Sequence, residues 1–452
     1  MDWVRLGESG VDLAGTGGVY RDVTEAELAA HAAPDDCWLM LNGLVYNVTP
    51  YIEYHPGGVD EILRGVGADA SPLFNEVHPW VNYESMLKKC LVGRYVGPGK
   101  TPSSSKGDAL NQSRLNGLKI DWRSEGEEVG LELAGEQAVE SAAIVEAPFP
   151  SQLRVILRPL RRAPLRILWD LPAKLRKGSL QVKQEKKRLI IRFRTNPVGG
   201  SFDNLAPSTV RQEAKPEFRK MELIEAQKLT HDTLLLALRP PANCHFPVPV
   251  GQHVYLQKYL QGVKVTRPYT PVAASFGAPE REPSQPLHLL VKIYPEGALT
   301  PTLAKLKPGD EVEVSDPEGA FDPGRQLAGH AKLLCLAAGT GITPIVRLIG
   351  HWLQRQKASS VTLVLFNKSE KDIVWREEMA KAGMRVLHVL SDPQASWEGK
   401  RGRISRELLD EVISEEWKQA FFAYCGPTLF TALTTNLLEE LGVSEASRYA
   451  FT

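Results

Sequence analysis

The chain of 452 residues is long enough for about three domains at ~150 residues each. With 43% hydrophobic and 24% charged residues, the composition excludes wholesale disorder, a collagen-like repeat and a coiled-coil rod. Basic and acidic residues number 54 each, so the formal net charge is zero. Because nucleic-acid binders usually carry a basic excess, we expect no nucleic-acid partner.

The zero total conceals two segments of opposite charge. Residues 21–95 hold five basic and eleven acidic side chains, a net charge of −6. Residues 151–220 hold eighteen basic and five acidic side chains, a net charge of +13. Because opposite charges orient docking, we expect intramolecular docking of the acidic segment on the basic one. The alternative is that both segments are simply solvated surfaces.

Signals for secretion or membrane insertion are missing from the sequence. The amino terminus has no apolar core of signal-peptide length, and no stretch reaches the ~20 apolar residues that span a bilayer. The five cysteines are scattered and form no Cys-x-x-Cys pair, which is typical of reduced thiols in the cytosol. We therefore expect a soluble, cytoplasm-facing protein without a transmembrane segment.

The first half of the chain is predicted to hold a tail, a compact domain, a linker and a sandwich. Residues 1–19 are the N-terminal tail and residues 20–96 the compact mixed domain, whereas proline, glycine and serine predict a linker over 97–118. Residues 119–205 show short alternating apolar runs without a helical stripe, so we predict a small all-β sandwich. Its function is not evident from these residues, and a plain spacer stays possible.

The second half changes from strands to alternating strands and helices. Strand patterns dominate residues 217–330. From 331 to 452 a buried strand at 333–338, a helix at 343–352 and a strand at 361–367 follow one another. That alternation predicts a right-handed βαβ unit with a parallel sheet, hence an α/β domain.

A His-Pro-Gly-Gly motif at 55–58 is the first candidate site. His78 lies 23 residues after His55, just beyond an apolar Leu73-Phe74 pair. Glycines let the backbone turn tightly beside a flat ligand, and neutral imidazole nitrogen suits iron. Two histidines on opposite walls of an apolar pocket would fill both axial positions of haem iron, so we expect this site to move electrons and not to activate oxygen.

These residues make 20–96 similar to a cytochrome b5 domain. The resemblance also includes Asp36-x-Trp38, Val45-Tyr46-Asn47-Val48 and Gly67-x-Asp69. It implies an α+β fold, haem b as the prosthetic group, and His55 and His78 as iron ligands. The spacing between the histidines is one residue shorter than in microsomal cytochrome b5, which bears on loop geometry and potential but not on ligation.

Two motifs in 217–330 suit a flavin nucleotide. Arg267-Pro268-Tyr269-Thr270 ends a predicted strand. Its arginine fork can make paired hydrogen bonds to a pyrophosphate, its tyrosine can stack on a flat ring, and its threonine hydroxyl can bond a flavin nitrogen. Gly297-Ala298-Leu299-Thr300 follows the next strand and opens a helix whose backbone N–H groups can take a second phosphate.

Two further turns suit a nicotinamide nucleotide. Gly339-Thr340-Gly341-Ile342-Thr343-Pro344 closes a buried strand and opens a helix, where a nucleotide phosphate meets a helix amino terminus. The proline at 344 departs from the Gly-x-Gly-x-x-Gly fingerprint. Cys425-Gly426-Pro427 ends another apolar strand, and in a parallel sheet it faces the same crevice.

These motifs make residues 217–452 similar to the ferredoxin-reductase-like NADH–cytochrome b5 reductase family. The resemblance implies an FAD-binding β-barrel over 217–330 and an NAD(P)-binding α/β domain over 331–452. It implies FAD contacts at Arg267, Tyr269, Thr270, Lys292, Ile293, Gly297, Leu299 and Thr300. It implies nucleotide contacts at Gly339, Thr340, Gly341, Thr343, Cys425, Gly426 and Pro427.

Catalytic roles are implied for Thr270, which would tune the flavin nitrogen that accepts the hydride, and for Cys425, which would guide the nicotinamide. Ser391 stands where family members often have an aspartate that favours NADH, with Asp392 one residue later. NADH and NADPH therefore both stay open as electron donors.

The order of the modules resembles that of the NAD(P)H–cytochrome b5 oxidoreductase fusions, in which a CS domain lies between haem and reductase modules. Asp121-Trp122 and the strand at 189–194 match the ends of a CS domain, whereas 142–177 departs from it. The resemblance implies an enzyme, an NAD(P)H cytochrome b5 reductase that passes hydride to FAD and single electrons to haem. The external acceptor would be cytochrome c or a lipid-metabolism enzyme at the cytoplasmic face of the endoplasmic reticulum.

Two alternatives to this enzyme are open. One is a binding protein, a haem and flavin redox sensor or CS-type scaffold whose turnover is incidental. The other is a nitrate-reductase-type or desaturase fusion built from the same modules. The chain has no room for a molybdenum domain, and its ten histidines form no His-x-x-His-His box, which disfavours the second alternative.

Overall fold

The computed structural model describes Trp3, Leu6 and residues 10–17, 20–33, 35–41, 43–55, 57–77, 83–96, 117–135, 142–158, 163–185, 188–196, 201–212, 216–260, 263–278 and 282–451. The chain divides into two compact units, Met1–Gly107 and Asp108–Thr452.

The first unit combines a mixed sheet with short helices, as predicted for an α+β haem domain. Its strands are β1 (Arg21–Val23), β2 (Ala32–Ala33), β3 (Asp36–Leu41), β4 (Leu44–Asn47) and β5 (Leu91–Tyr95). Its helices are α1 (Glu25–Ala30), α2 (Val59–Leu63), α3 (Ser71–Val77) and α4 (Tyr83–Met86), with 3₁₀ turns at Thr49–Tyr54 and Lys88–Cys90. The strand order is β1-β5-β4-β3-β2, with β1 parallel to β5.

Strand β3 separates two apolar clusters because its successive side chains point to opposite faces. Cys37, Leu39 and Leu41 belong to one cluster, which also holds Tyr51 and Ile52. Trp38 and Met40 belong to the other. The first of these clusters forms the wall of a cavity described below.

Part of the segment predicted as a tail packs on this unit. Leu13 and Ala14 are buried, and Asn47 donates from Nδ2 to the Ala14 carbonyl at 3.4 Å. The Trp3 ring lies 4.8 Å from the Tyr51 ring, edge to face. The first unit therefore includes residues ahead of position 20.

The second unit begins with a β-sandwich. Its strands are β6 (Lys119–Glu125), β7 (Glu128–Ala134), β8 (Ile144–Glu146), β9 (Gln152–Leu157), β10 (Leu165–Asp170), β11 (Gln181–Glu185), β12 (Arg188–Arg194) and β13 (Thr209–Gln212). One sheet has the order β11-β12-β7-β6, and β13-β10-β9-β8 form most of the other. Trp122, Trp169 and Phe193 fill the core between them. The predicted all-β sandwich is confirmed.

An antiparallel sheet of seven strands follows the sandwich. The strands of this region are β14 (Phe218–Lys228), β15 (Thr233–Arg239), β16 (Cys244–His245), β17 (Val254–Leu260), β18 (Val263–Tyr269), β19 (Pro271–Val272), β20 (Leu287–Lys292) and β21 (Glu311–Ser315). Its helices are α5 (Thr300–Leu303) and α6 (Pro323–Gln326). The sheet order is β18-β17-β21-β14-β15-β20-β19, and β16 leaves it to pair with β8 of the sandwich.

A buried ion-pair network joins the sandwich to this seven-stranded half-barrel. Arg219 of β14 donates to Glu146 of β8 at 2.7 Å and to Asp316 at 2.5 Å. Arg154 and Arg166 of the sandwich bond the same two carboxylates at 2.6 and 2.9 Å. Burial alone would raise the pKa of Glu146, but Arg219 and Arg154 lower it to about 2. The group is therefore ionised at neutral pH, and both sides of the junction depend on it.

The chain ends in a parallel α/β domain. Its strands are β22 (Leu333–Ala338), β23 (Val361–Asn367), β24 (Arg385–Leu390), β25 (Lys400–Arg401), β26 (Phe421–Cys425) and β27 (Arg448–Phe451), in the order β25-β24-β23-β22-β26-β27. Its helices are α7 (Ile342–Leu353), α8 (Arg376–Lys381), α9 (Arg406–Val412) and α10 (Thr428–Glu440). Short 3₁₀ turns lie at Gly339–Gly341, Ala358–Ser360, Glu370–Asp372, Glu415–Trp417 and Glu445–Ser447.

The predicted parallel sheet is thus confirmed, and the helix expected at 343–352 extends over Ile342–Leu353. None of the helices within the described residues is both long and apolar enough to cross a membrane.

Candidate functional site

An apolar cavity of about 300 Å³ opens in the first unit. Strand β3, the Thr49–Tyr54 turn and helices α2 to α4 supply its walls. Apolar and aromatic side chains dominate the lining, which includes Leu39, Leu41, Val48, Tyr51, Ile62, Leu73, Phe74, Tyr83 and Met86. A cavity of this kind suits a flat apolar ring system.

His55 lies in the wall of this cavity, where the Thr49–Tyr54 turn ends. Its Nδ1 is 2.8 Å from the Gly58 carbonyl oxygen. That carbonyl can only accept, so Nδ1 carries the proton and the lone pair is on Nε2, the nitrogen that can bind iron. A Cβ at Gly57 would lie 2.8 Å from His55 Cε1, so the ring needs a glycine beside it.

These features fit haem, because an imidazole whose Nδ1 is bonded to a carbonyl offers its other nitrogen to an apolar cavity. The other predicted iron ligand, His78, lies outside the described residues.

The first flavin motif lies where β18 ends and β19 begins. Arg267 is exposed and donates to the Thr266 carbonyl at 2.8 Å. Tyr269 packs on the barrel core, and burial raises its pKa to about 12. Its hydroxyl therefore stays protonated at neutral pH and can donate a hydrogen bond. Thr270 is half-buried between the two strands.

Lys292 and Ile293 lie at the end of β20, and Asp232 holds both. The Lys292 ammonium is 2.9 Å from Asp232 and 2.8 Å from Asp372, a residue of the α/β domain. The Ile293 amide donates to the Asp232 carbonyl at 2.7 Å. Burial alone would lower the pKa of Lys292, but bonds to the two carboxylates raise it. The charged Lys292 therefore links the barrel to the α/β domain. The two ion pairs of Lys292, with Asp232 and with Asp372, form a link that is called the lysine tie.

The turn at 297–300 is closed by its own threonine. The Thr300 hydroxyl accepts from the Tyr294 amide at 3.0 Å and donates to the Tyr294 carbonyl at 3.2 Å. A Cβ at Gly297 would lie 2.9 Å from Thr300 Oγ1, and Leu299 is buried in the barrel core. The hydroxyl therefore shapes the turn, which leaves backbone N–H groups as the donors suited to a phosphate.

The two glycine turns of the α/β domain lie against each other. Strands β22 and β26 are parallel neighbours, with Ala337 opposite Cys425. A Cβ at Gly341 would overlap the Cys425 carbonyl, and one at Gly426 would lie 2.8 Å from the Ala338 Cβ. Only glycine permits this approach, which places main-chain groups and the amino end of α7 at one edge of the sheet. That edge suits a nucleotide pyrophosphate.

Two further predicted nucleotide contacts lie at the same edge. The Thr343 hydroxyl donates to the Thr340 carbonyl at 3.1 Å. Burial raises the pKa of the Cys425 thiol to about 12. The thiol is therefore neutral at physiological pH, which suits contact with an uncharged ring and excludes thiolate chemistry.

The sequence motifs did not predict the two carboxylates that bind Lys292. Asp232 and Asp372 belong to no motif, and they are 140 residues apart in the numbering (372 minus 232). Their only signal is that each is an acidic residue in the loop next to a strand.

Three family models match separate parts of the chain. Residues 24–96 match the Cytochrome b5-like Heme/Steroid binding domain. Residues 220–322 match the Oxidoreductase FAD-binding domain, and residues 335–435 match the Oxidoreductase NAD-binding domain. Haem, FAD and a nicotinamide nucleotide are thus the cofactors of the chain.

Full-length relatives have the same module order. Cytochrome b5 reductase 4 of Rattus norvegicus is 37% identical, and that of Homo sapiens is 36% identical. Each alignment covers 100% of this chain and 93% of the relative. The solved CS-b5R domains of human Ncb5or, in the NAD⁺ form, are similar with a TM-score of 0.67 and 30% identity, covering 74% of this chain and 99% of that one.

This likeness assigns the middle sandwich to the CS type. The haem, FAD and NAD modules together make the chain an NAD(P)H-dependent oxidoreductase that transfers electrons through FAD and haem. The chain belongs to the cytochrome b5 reductase 4 family.

Proposed function

We propose that electrons from NAD(P)H leave the protein at the haem unit, to an external one-electron acceptor. The haem module in the same chain as the FAD and NAD modules supports exit at the haem, and the lysine tie supports the preceding step from nucleotide to flavin. Lys292, from the strand implied to lie beside the flavin, bonds Asp372, from the loop after β23, at 2.8 Å. The proposed flavin and nucleotide sites would therefore lie on adjoining parts of the reductase, as hydride transfer between them requires.

The roles of individual residues are part of this proposal. Arg267 would bind the FAD pyrophosphate with its exposed guanidinium, and Tyr269 and Thr270 would present hydroxyl groups to the flavin. The turns at Gly339–Gly341 and 425–427 would hold the nicotinamide nucleotide, with the neutral Cys425 thiol against the ring. When bound, FAD accepts a hydride and releases electrons singly, and haem carries one electron at a time.

His55 would bind the haem iron through Nε2, and His78 would supply the second protein ligand. The Gly58 carbonyl fixes the tautomer of His55 by accepting from Nδ1 at 2.8 Å. The mostly apolar lining would limit the access of water to the bound haem.

We further propose that the acidic haem module docks on the basic middle and flavin region. Several arginines of the +13 segment are unavailable for docking, because Arg154, Arg166 and Arg219 are committed to the buried network. The proposal therefore rests on exposed cations of the sandwich, which include Lys174, Lys177, Lys183, Arg188 and Arg192. Haem reduction should slow as the salt concentration rises, and a rate independent of salt would contradict docking.

Anaerobic stopped-flow mixing of the holoprotein with NADH tests the proposed route. Flavin bleaching is expected first, followed by haem reduction in the same molecule at a rate independent of protein concentration. Rapid flavin reduction with haem that stays oxidised over many turnovers would instead favour a redox sensor. Repeating the experiment with NADPH measures the preference that Ser391 and Asp392 leave open.

For the physiological acceptor we propose cytochrome c-like carriers or a lipid-metabolism enzyme at the cytoplasmic face of the endoplasmic reticulum. The support is the likeness of the whole chain to cytochrome b5 reductase 4. Fractionation of cells that express the full chain, with turnover assays on the microsomal fraction, tests this placement. Equal activity without microsomes and no enrichment in that fraction would contradict it.

A further inference from the structure

Asn367 lies at the crevice edge of the parallel sheet but belongs to none of the motifs. It is the last residue of β23, whose neighbour β22 runs directly into the Gly339–Gly341 turn. Carboxyl ends of parallel strands meet at one edge, so Asn367 and the glycine turns share that edge.

Strand alternation assigns the Asn367 side chain to the face that looks toward the barrel. Val361, Leu363 and Leu365 belong to the core cluster that also contains Leu290 of β20. Val364 and Phe366 belong to the cluster on the opposite face. Position 367 continues the first series because side chains alternate with a period of two.

The Asn367 side-chain amide has a donor that the described protein does not use. Its Nδ2 is buried and has no hydrogen-bond partner among the residues that the structure describes. Asp372, five residues later in the chain, is engaged elsewhere: it accepts from the Ser369 amide and hydroxyl at 3.0 and 2.8 Å and also bonds Lys292.

A hydrogen bond holds the backbone at Asn367 in place. The Asn367 carbonyl accepts from the Ser391 amide at 3.0 Å, which pins the strand end to the loop after β24. The residue as a whole is half-buried and so reaches the surface of the crevice. A half-turn about χ2 exchanges the oxygen and nitrogen ends of the amide, and this torsion is soft.

We propose that Asn367 donates a hydrogen bond from its side-chain amide to an acceptor oxygen of the bound nicotinamide nucleotide. The inference rests on the proposed placement of the nucleotide at the two glycine turns. Buried donors without partners are rare in folded proteins, and one at a ligand crevice is explained when the ligand supplies the acceptor. The ammonium group of Lys292 is already bound by two carboxylates. A neutral amide is therefore a donor that those carboxylates do not neutralise.

Thr362 provides a matched control on the same strand. Its Oγ1 is also buried without a partner in the described structure, but the residue is fully buried near the amino end of β23 and lies on the opposite face. If the unpaired amide of Asn367 only weakens packing, substitutions at Asn367 and Thr362 should have similar effects on nucleotide binding. If the amide binds the nucleotide, only the substitution at Asn367 should weaken that binding.

The experiment compares Asn367→Ala, Asn367→Asp and Thr362→Val in the full-length holoprotein. For each variant, KM and kcat for NADH are measured with ferricyanide, and the Kd for NAD⁺ is measured by titration of the flavin spectrum on FAD-loaded protein. We expect Asn367→Ala to raise KM and Kd about tenfold with kcat within about twofold, the size of one hydrogen bond. Asn367→Asp should raise both further, because a carboxylate repels the phosphates. Thr362→Val should change neither constant.

Unchanged KM and Kd in Asn367→Ala would overturn the inference, as would an equal rise in Thr362→Val. The equal-sized Asn367→Asp variant and the restriction to FAD-loaded protein separate binding from misfolding. If the unmodified protein did not reduce its flavin with NADH, the proposed function itself would fail. If it did and Asn367→Ala bound NAD⁺ normally, this inference alone would fail.

Discussion

The haem cavity and the nucleotide crevice are built by opposite means. In the first unit side chains make the site, since apolar residues line the cavity and His55 supplies an imidazole. In the second unit the main chain makes the site, since Gly341 and Gly426 let two turns touch. A site made of side chains is lost when a side chain is removed. A site made of closely approaching backbone is lost when a side-chain atom is added.

Removal of the His55 imidazole should produce the largest effect and should be confined to the first site. For His55→Ala we expect loss of bound haem and a fall in cytochrome c reduction of at least about 100-fold, because the variant lacks the proposed iron ligand. Ferricyanide reduction should persist, because flavin and nucleotide bind in the other unit. Haem absorbance and steady-state turnover with both acceptors measure the effect.

His78→Ala should behave like His55→Ala, and Val59→Ala, at a residue 44% exposed, should resemble the unmodified protein. Loss of both activities together in the histidine variants would contradict the order of FAD before haem.

Addition of one methyl group should damage the second site without touching the first. In Gly341→Ala the new Cβ would overlap the Cys425 carbonyl, so the two turns must separate. We expect kcat/KM for NADH to fall about 100-fold, since misplacement of this order costs that much, while the haem spectrum stays unchanged.

Gly350→Ala is the matched control for this prediction. Gly350 lies in the same helix, α7, and a Cβ there meets no described heavy atom within 4 Å. The substitution should leave NADH kinetics unchanged and slightly raise stability, since alanine favours helix. An equal fall in kcat/KM for NADH in both glycine variants would contradict the explanation that the two turns need a glycine where they touch.

The buried network beneath the barrel should respond next. Glu146→Gln leaves the fully buried Arg219 with Asp316 alone, so we expect a loss of about 3–5 kcal/mol in unfolding free energy. Urea unfolding followed by flavin fluorescence measures the change. Glu128→Gln, at a side chain 70% exposed, should change stability by less than ~1 kcal/mol.

The same network gives a pH dependence of known sign. Arg219 and Arg154 outweigh burial and hold the pKa of Glu146 at about 2, below its ordinary 4.5. Its contribution to stability is therefore complete above pH 4.5 and is lost as the pH falls toward 2. Unfolding free energies measured between those limits should converge for Glu146→Gln and the unmodified protein. A constant difference would contradict ionisation of Glu146.

The lysine tie should give the smallest effect, because Lys292 keeps one of its two carboxylates. For Asp372→Asn we expect flavin reduction by NADH to slow about two- to fivefold, the range of a partly exposed ion pair. Asp410→Asn removes the exposed pair with Arg406 and serves as the control. Stopped-flow flavin bleaching measures both, and an equal rate in Asp372→Asn would exclude a role for the tie in aligning the two domains.

The effect of Asp372→Asn should not vary between pH 6 and 9. Bonds to the carboxylates outweigh burial and raise the pKa of Lys292 above 10.5, so its contribution is lost only at higher pH. Bonds to Lys292 and Ser369 outweigh burial and lower the pKa of Asp372 below 3.8, so its contribution is lost only at lower pH. Both groups keep their charge throughout the measured range.

Local patterns predicted the parts of the molecule that local physics determines. Apolar alternation predicted the sandwich, and the strand–glycine–helix alternation predicted the parallel sheet that places Ala337 opposite Cys425. The His-Pro-Gly-Gly motif led to the cavity because His55 and its supporting Gly57 and Gly58 are sequence neighbours.

Contacts between distant segments were beyond such patterns. Arg219 and Glu146 are 73 residues apart, and Lys292 and Asp372 are 80 residues apart, so only the folded chain reveals these pairs. The +13 segment looked like a surface, whereas several of its arginines face buried carboxylates. The domain limits, the roles of the site residues and the choice between NADH and NADPH stay predictions.

The pairing of β16 with β8 has a consequence for dissecting this protein. Cys244 and His245 come from the reductase part of the sequence, yet they complete a sheet of the sandwich. Cutting the chain between the two parts would expose a bare strand edge on the sandwich, a template for aggregation. It would also separate Arg219 from its partner Glu146 and Asp316 from its partner Arg166. The sandwich and the reductase therefore form one structural unit, which should be expressed or exchanged between proteins as a whole.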